Sequence, residues 1–393
     1  MIKILLVTKY FPPLNTVASH RTYAFAKYLC EYGIVTDVIT PQYEGSLNQD
    51  TSKLCIYYTH KEIKAVNSFV GPQNRVKNWF KKTGIRSFIY YIKSSFFYAG
   101  RRTIQRIENK YNAVMVSFGP EEVLRLGKYI HKKFNIPLII DYRDLWLDNH
   151  FKDWTWLDRK IIYWLEKRIL QHASLVITVS ENLANQIFRR YGVSAEIIYN
   201  GFLGKQKPLK NHNHHICYCG SLYGGLRPIS YIFPALKQNP HFHMTVYVFD
   251  RLDADLILNL AKSYNVENRV NIGINKTYQD STELMENSSI LLFLNRTDGK
   301  AKGVLSGKLF EYMRTGNFIL GIGHPNDEAR QIIEKYRLGA YASTHNQVSE
   351  ILSQFHTWKP EKRQQIEFFS RKNQTKHLAR LIHSSLEQER YKA

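Results

Sequence analysis

The chain has 393 residues, of which 44% are hydrophobic, and its formal net charge is +22 at pH 7. This length exceeds one ordinary core, so we expect two domains. The positive charge favours nucleic acid, anionic lipid or phosphorylated ligands as partners, but it indicates no fold. Four cysteines argue against a disulfide scaffold and fit a reducing cytoplasm. No apolar run approaches the ~20 residues that span a bilayer, and no signal peptide is recognisable, so we expect a soluble or peripheral protein.

The first half of the chain alternates strand and helix patterns. Residues 2–8 predict a buried strand, residues 17–32 a helix that ends at Gly33, and residues 35–40 the next strand. Such a β-α-β unit implies a parallel sheet. Further strands are predicted at 113–117, 137–141, 175–180 and 196–199, and further helices at 156–172 and 181–191.

Residues 74–110 mix lysine and arginine with aromatic residues. Aromatic residues at an interface and basic residues beside anionic lipid give reversible membrane attachment. Nucleic-acid binding and packing within a helical subdomain are the competing interpretations. No zinc-finger, RNP or helix-turn-helix signature accompanies the charge, so nucleic acid is the less favoured partner. We therefore predict a membrane-facing region here.

The second half repeats the strand-helix alternation after a polar, basic segment at 203–214, which predicts a linker. Three histidines of this segment, His212, His214 and His215, have no carboxylate or cysteine partner at metal spacing, so no metal site is predicted. Strands are predicted at 216–219, 244–249, 270–274, 289–295 and 318–322. We expect an α/β protein with two Rossmann-like domains, residues 1–203 and 204–371, facing each other across a ligand cleft at the carboxyl ends of the strands.

Residues 302–316 form the most informative segment. They follow the apolar run 290–294, pass through a glycine-containing loop and continue as a helix that ends at Gly316. A strand, a loop and a helix N-terminus together favour anion binding. Lys308 and Glu311 share one helix face, so a cation for phosphate stands beside a carboxylate for hydroxyl groups. A sugar nucleotide offers both groups; the alternative is an ordinary β-α-β unit with a surface ion pair.

Five short motifs carry a family likeness over nearly the whole chain. They are KILLVT with YFPP (3–8 and 10–13), DYRDLW (141–146), SE with YNGF (180–181 and 199–202), CGSLY (219–223) and GVLSGKLFEYMRTG (303–316). In their order and spacing the chain resembles glycosyltransferases of the two-Rossmann-domain (GT-B) type, and within them the nucleotide-sugar-dependent, retaining enzymes of family 4. Two features depart from that family. The loop 14–19 lacks a glycine pair, and Gly303 stands where the first of two glutamates is usual.

The resemblance implies a donor site in the second domain. Glu311 would accept hydrogen bonds from the ribose, and Lys308 and Arg227 would neutralise the diphosphate and act in catalysis. The alternative for both cations is ordinary surface charge. Other donor contacts are expected from Gly303, Val304, Leu305, Ser306, Gly220, Ser221 and Asn200.

The resemblance places acceptor binding in the first domain. Asp144 or Asp141 would lie near the attacking hydroxyl as base or electrostatic support, unless these residues form a buried ion cluster. Ser19, Arg21 and Arg143 would bind the acceptor; for Ser19 and Arg21 the alternative is a solvated helix start. Residues 372–393 are expected to form a helix that crosses back to the first domain.

These expectations define a metal-independent, cofactor-free glycosyltransferase, retaining by resemblance, attached to the cytoplasmic face of the cell membrane. Its partners would be a nucleoside-diphosphate sugar, a lipid-linked or oligosaccharide acceptor and an anionic membrane surface, with no nucleic acid. The product would be a surface polysaccharide such as lipopolysaccharide or capsule. A nucleotide-sugar 2-epimerase of the same fold and a non-catalytic nucleotide- or nucleic-acid-binding protein remain the alternatives.

Overall fold

The computed structural model describes residues 1–45, 49–62, 94–108, 110–147, 154–207, 213–300, 303–358 and 366–392. The chain divides into two compact units. Unit 1 contains Met1–Asn200 and Arg371–Ala393, and unit 2 contains Gly201–Ser370. Of the predicted membrane-facing region, residues 74–93 and 109 lie outside the described residues.

The described chain alternates strands and helices. The strands are β1 (Ile2–Val7), β2 (Ile34–Gln42), β3 (Ile56–Lys61), β4 (Ala113–Ser117), β5 (Leu138–Asp141), β6 (Leu175–Thr178), β7 (Glu196–Ile197), β8 (His215–Cys219), β9 (His243–Val248), β10 (Val270–Ile274), β11 (Ile290–Leu294), β12 (Phe318–Ile322) and β13 (Gly339–Ala342). The helices are α1 (Val17–Tyr28), α2 (Ser95–Gln105), α3 (Glu122–Phe134), α4 (Trp156–Leu170), α5 (Glu181–Tyr191), α6 (Ile232–Gln238), α7 (Arg251–Ser263), α8 (Tyr278–Asn287), α9 (Gly307–Thr315), α10 (Glu328–Lys335), α11 (His345–Ser353) and α12 (Arg371–Lys392).

Unit 1 is built on a seven-stranded parallel sheet in the order β3-β2-β1-β4-β5-β6-β7. Because side chains alternate across a strand, Leu5 and Val7 of β1 face one helix layer, whereas Ile4 and Leu6 face the other. Helix α12 contributes Leu378, Ala379, Ile382 and Leu386 to this second layer, beside α1. The last helix of the chain is therefore part of the core of unit 1.

Unit 2 is built on a six-stranded parallel sheet in the order β10-β9-β8-β11-β12-β13. Its central strand β8 pairs with β9 on one side and with β11 on the other, so the chain direction of the crossovers reverses at β8. Ligands of open α/β sheets bind outside the carboxyl ends of the strands at such a point. In unit 1 the corresponding reversal lies at β1, between β2 and β4. The predicted α/β class with Rossmann-like sheets is confirmed.

Several element bounds differ from the predictions for local reasons. The first helix ends at Tyr28 and continues as a 3-10 turn over Leu29–Tyr32, with Gly33 left-handed at φ 78°. Strand β3, at a sheet edge and only partly buried, was not predicted, and neither was the four-residue β13. Within the described ranges, no helix has both the length and the apolar character needed to cross a membrane.

Candidate functional site

In unit 2, the residue that follows β8 meets the first turn of α9. Gly220 has φ +143°, and a Cβ atom added there would overlap Nζ of Lys308. Its backbone N–H donates to the carbonyl of Tyr247 (2.7 Å). The ammonium group of Lys308 therefore occupies the space that any larger residue at position 220 would need. Two residues that were predicted separately, 88 positions apart, lie together at the carboxyl end of β8.

A second cation, Arg227, contacts the same tyrosine as Lys308, Tyr218. Nζ of Lys308 lies 4.9 Å from the centroid of the Tyr218 ring, and Nη1 of Arg227 donates to the Tyr218 hydroxyl (3.0 Å). The hydroxyl in turn donates to the carbonyl of Ser221 (2.8 Å). The Arg227 guanidinium also lies 4.7 Å from the ring centroid of Tyr223. Tyr218 was not predicted as a site residue, because a tyrosine within an apolar strand indicates only a core position.

The two cations are not directly neutralised by a carboxylate of the described ranges, although Asp253 attracts Lys308 from further away. Among the described residues, neither Lys308 nor Arg227 forms an ion pair. The acidic group of this region, Asp253, accepts hydrogen bonds from the backbone of Leu222 (2.6 Å) and the hydroxyl of Ser221 (3.1 Å). Burial and, to a smaller extent, repulsion from Arg227 lower the pKa of Lys308 well below its ordinary value. A bound anion would attract the charged form of Lys308 and so offset both effects, which makes the arrangement suitable for a phosphate group.

Helix α9 brings Glu311 to the same side, one turn after Lys308. Its side chain is 13% exposed, and Oε2 lies 3.8 Å from Nε of Arg314. Arg314 is held by Glu286 (3.0 Å). Before the helix, Gly303 and Leu305 are buried, while Val304 and Ser306 are partly exposed, and the Ser306 side chain makes no capping hydrogen bond.

Asn200 lies in unit 1, unlike the other predicted donor contacts. It is buried, and its backbone carbonyl accepts a hydrogen bond from Nε of Arg371 (3.4 Å). Its assignment to the donor site remains a prediction.

In unit 1, Arg21 and Asp141 form a fully buried ion pair. Nη2 of Arg21 lies 2.8 Å from Oδ1 of Asp141, and the Ser117 hydroxyl donates to Oδ2 (2.8 Å). Nη1 of Arg21 donates to the carbonyls of Ile198 (2.8 Å) and Tyr199 (3.0 Å). The pair thus ties α1 to the end of β5 and to the chain beyond β7. The alternative of a buried ion cluster describes Asp141, whereas direct contact of Asp141 with a substrate remains a prediction that its burial does not favour.

Ser19 is buried as well, and its hydroxyl contacts that of Thr16 (2.9 Å), the N-cap residue of α1. The interpretation of Ser19 and Arg21 as a solvated helix start is wrong, because both side chains are at most 1% exposed. Their role in acceptor binding stays a prediction, to which the geometry gives no support.

Arg143 and Asp144 do reach the carboxyl edge of the unit 1 sheet. Asp144 is exposed, and Nη2 of Arg143 donates to the carbonyl of Phe118 (2.7 Å). The Arg143 guanidinium lies 5.8 Å from the Tyr10 ring centroid. A Cβ atom at Gly119 (φ +112°) would lie 3.1 Å from Nη2, so this glycine also makes room for the guanidinium. Burial raises the pKa of Tyr10 above its ordinary value, so this hydroxyl stays protonated.

A charged cluster that was not predicted lies at the same edge. Nζ of Lys9, just after β1, is 2.9 Å from Oε1 of Glu122 and 3.4 Å from Oε1 of Glu62. The Tyr43 hydroxyl donates to the other oxygen of Glu62 (3.1 Å). Burial opposes the charge on Lys9, but the two carboxylates raise its pKa overall. The sequence held a signal for Lys9, which follows the predicted strand at 2–8, but not for Glu62, because it follows β3, which was not predicted.

Glu166 holds the loop that follows β5. One carboxylate oxygen accepts a hydrogen bond from the backbone N–H of Trp146 (3.0 Å), and the other contacts the hydroxyl of Tyr191. Burial raises the pKa of Glu166 to about 7. No sequence signal distinguished this residue from other helix carboxylates.

No metal centre is formed by the part of the chain that the structure describes. His215 was predicted with the linker histidines but is the first residue of β8, where it contacts the hydroxyls of Thr245 (2.9 Å) and Ser288 (3.0 Å). His212 lies outside the described residues.

Residues 18–202 match the sequence model of Glycosyltransferase Family 4. The chain is a glycosyltransferase. The match covers most of unit 1 and the first two residues of unit 2, and the predicted likeness to family 4 enzymes is confirmed. No curated protein matches the chain in a sequence search.

Solved structures with the same two-unit GT-B fold cover nearly the whole glycosyltransferase chain. The lipopolysaccharide outer core galactosyltransferase WaaB has a TM-score of 0.63 at 12% identity, with 98% of this chain and 99% of that chain covered. HepE from Anabaena, solved with UDP-glucose, has a TM-score of 0.60 at 14% identity, with 99% and 98% covered. The UDP-GlcNAc 2-epimerase from Neisseria meningitidis, solved with UDP-GlcNAc, has a TM-score of 0.56 at 13% identity, with 98% and 100% covered. At these identities the likeness shows the fold alone.

Proposed function

We propose that the enzyme takes its sugar from a nucleoside diphosphate and binds this donor on unit 2. The observation that carries the proposal is the pair of cations Lys308 and Arg227 beside Gly220, neither of which forms an ion pair with a described residue. The leaving group is a nucleoside diphosphate, so negative charge increases on its β-phosphate as the glycosidic bond breaks. Two fixed cations stabilise that charge directly, and the proposal therefore needs no metal.

The rest of α9 and its loop suit the remainder of the donor. Glu311, one turn from Lys308, would accept hydrogen bonds from the ribose hydroxyls. The backbone N–H groups of Gly303, Val304 and Leu305 precede the positive end of the helix dipole. Because Gly303 replaces a carboxylate, contacts with the donor sugar would come from this backbone and not from a side chain.

On unit 1, Asp144 would meet the acceptor hydroxyl, which is supported by the exposure of its carboxylate and by Arg143 beside it, whose guanidinium is held by the carbonyl of Phe118. Asp141 would act as a positioning residue, through its ion pair with Arg21. We propose transfer with retention. The bond from the anomeric carbon to the phosphate oxygen breaks, the bond to the acceptor oxygen forms on the same face, and the acceptor proton passes to the departing phosphate. A protein base is then not required, and Asp144 orients the hydroxyl.

We further propose that the acceptor is a lipid-linked glycan of a surface polysaccharide, such as lipopolysaccharide or capsule, at the cytoplasmic face of the cell membrane. The net charge of +22 supports a polyanionic surface or a phosphorylated acceptor as partner. The proposal is supported by the presence of an outer core galactosyltransferase among the solved structures that share this fold.

The donor proposal is tested by thermal unfolding with UDP, GDP, ADP and their sugar conjugates, without metal. At a ligand concentration of 100 times Kd, one nucleotide should raise Tm by roughly 5–10 °C. Lys308→Met and Glu311→Ala should each lose most of this shift, whereas Lys262→Met, which changes an exposed lysine of α7, should keep it. A folded wild-type protein that responds to no nucleotide would refute the proposal.

The epimerase alternative is separated by incubation with the donor alone. An epimerase would convert the donor sugar to its 2-epimer without an acceptor. A transferase would leave the sugar unchanged, apart from slow hydrolysis, until a lipid-linked acceptor is added.

A further inference from the structure

Helix α4 of unit 1 turns aromatic side chains towards solvent. Trp156 is 69% exposed and Trp164 is 56% exposed, and Tyr163 between them is 36% exposed. These large residues recur at helical spacing with three basic residues, so they lie on one side of the helix. We call this surface the α4 face; it consists of Trp156, Lys160, Tyr163, Trp164, Lys167 and Arg168.

The α4 face is cationic because both acidic residues of the helix point the other way. Asp158 is 4% exposed and completes the capping box with Thr155, while Glu166 is 1% exposed. The basic residues of the helix are exposed or partly exposed to solvent, whereas both of its carboxylates are buried. Lys128 of the neighbouring helix α3 adds to the charge, since it lies close enough to Arg168 for their repulsion to be felt.

Each aromatic ring of the α4 face is paired with a base. The ammonium groups of Lys160 and Lys167 lie 4.0 Å and 5.9 Å from the ring centroids of Trp156 and Tyr163. The Arg168 guanidinium lies 5.1 Å from the centroid of Trp164. Tryptophan and tyrosine favour the headgroup level of a bilayer, where the apolar ring is partly buried and its N–H or O–H remains hydrated. Bases beside them would meet lipid phosphates.

We propose that the α4 face is the surface by which unit 1 docks on an anionic bilayer. This inference rests on the proposed membrane attachment and adds the surface that performs it, which is separate from residues 74–110. A second copy of the chain is a poorer occupant, because two such faces would bring like charges together. Nucleic acid would also meet the charge, but it has no use for exposed Leu157 (47%) beside the tryptophans.

The test is co-sedimentation of the full chain with phosphatidylcholine vesicles, with and without phosphatidylglycerol. We expect binding only to the anionic vesicles. Lys160→Gln with Arg168→Gln should weaken it about 30-fold, since each base near the surface contributes about five-fold. Trp156→Ala with Trp164→Ala should weaken it about ten-fold or more. Matched controls are Lys262→Gln with Lys335→Gln, which removes the same charge from unit 2, and Tyr391→Ala, which removes an exposed aromatic side chain.

A second measurement locates the tryptophans. Lipids with brominated acyl chains should quench wild-type fluorescence, and the quenching should largely disappear in the double tryptophan variant. Normal binding by that variant, or equal losses in the control variants, would overturn the assignment of the α4 face but leave membrane attachment standing. No vesicle binding by the wild type, or binding to an oligonucleotide in its place, would overturn both. The nucleotide response in thermal unfolding reports donor binding separately in every variant.

Discussion

Replacing Glu166 with glutamine should change how the stability of unit 1 depends on pH. Burial raises the pKa of this carboxyl to about 7 from an ordinary value of 4.5. The folded state therefore keeps a proton that the unfolded state releases between these two values. In the wild type this group stabilises the fold fully below pH 4.5, and its contribution is lost as the pH rises towards 7.

The size of the effect follows from the shift. At about 1.4 kcal/mol per pKa unit, the change corresponds to about 3 kcal/mol of unfolding free energy. Glutamine resembles the protonated carboxyl: its oxygen can accept from the Trp146 N–H, and its amide can contact Tyr191. The variant should thus lie within about 1 kcal/mol of the wild type at low pH, and it should gain about 3 kcal/mol relative to the wild type by pH 7.5.

Urea unfolding of both proteins from pH 4.5 to 7.5, followed by tryptophan fluorescence, measures this difference. Tryptophans 79, 146, 154, 156 and 164 lie in unit 1 and only Trp358 lies in unit 2, so the signal reports mainly on unit 1. Glu181→Gln, at an exposed position of α5, is the control and should add no slope of this kind. A difference between Glu166→Gln and the wild type that stays constant with pH would refute the reasoning.

Three further predictions concern Lys308 and Arg21. Gly220→Ala should displace the Lys308 ammonium group and weaken nucleotide binding about ten-fold or more; calorimetric titration should show a much smaller loss in a Lys308→Ala background, and equal losses would contradict the contact. Asp141→Asn should cost about 3–5 kcal/mol in urea unfolding, because it leaves Arg21 buried without its anion; a loss below about 1 kcal/mol would contradict the ion pair. Since Lys308 has a lowered pKa, a diphosphate should bind with proton uptake and lose affinity as the pH rises through that pKa. Calorimetric titration in buffers of different ionisation enthalpy measures this uptake, and Lys308→Arg should abolish it. Unchanged proton uptake in that variant would exclude Lys308 as its source.

Local patterns predicted the sheets well where burial was complete. The strand at 113–117 was predicted with its observed bounds, because a central parallel strand is an unbroken apolar run. Strand β3 was missed because it lies at an edge, where half-exposed residues such as His60 weaken the pattern. Helix ends were also predicted less accurately. The first helix was predicted to reach residue 32, but the chain after Tyr28 tightens into a 3-10 turn before Gly33.

Site residues could be predicted to act together only where they are close in sequence. Lys308 and Glu311 share one helix, so their common face follows from spacing alone. The partner of Arg21 is 120 residues away, and nothing local distinguishes a buried arginine from an exposed one. Tyr218 likewise belongs to the site only because Arg227, nine residues later, contacts its hydroxyl and Lys308 lies over its ring.

The place of α12 in the core of unit 1 makes unit 2 an insertion within another folding unit. Because α12 follows unit 2 in the chain, unit 1 lacks Leu378 and Ile382 during synthesis until all of unit 2 has been made. Loss of α12 would therefore expose the core of unit 1 to aggregation and leave unit 2 covalently complete. The chain leaves unit 1 after Asn200 and re-enters it at Arg371. These two points are adjacent, since the Gln374 side chain accepts a hydrogen bond from the N–H of Tyr199 (2.8 Å) and Arg371 donates one to the carbonyl of Asn200. A short splice from residue 200 to residue 371 should accordingly give unit 1 as a single continuous domain.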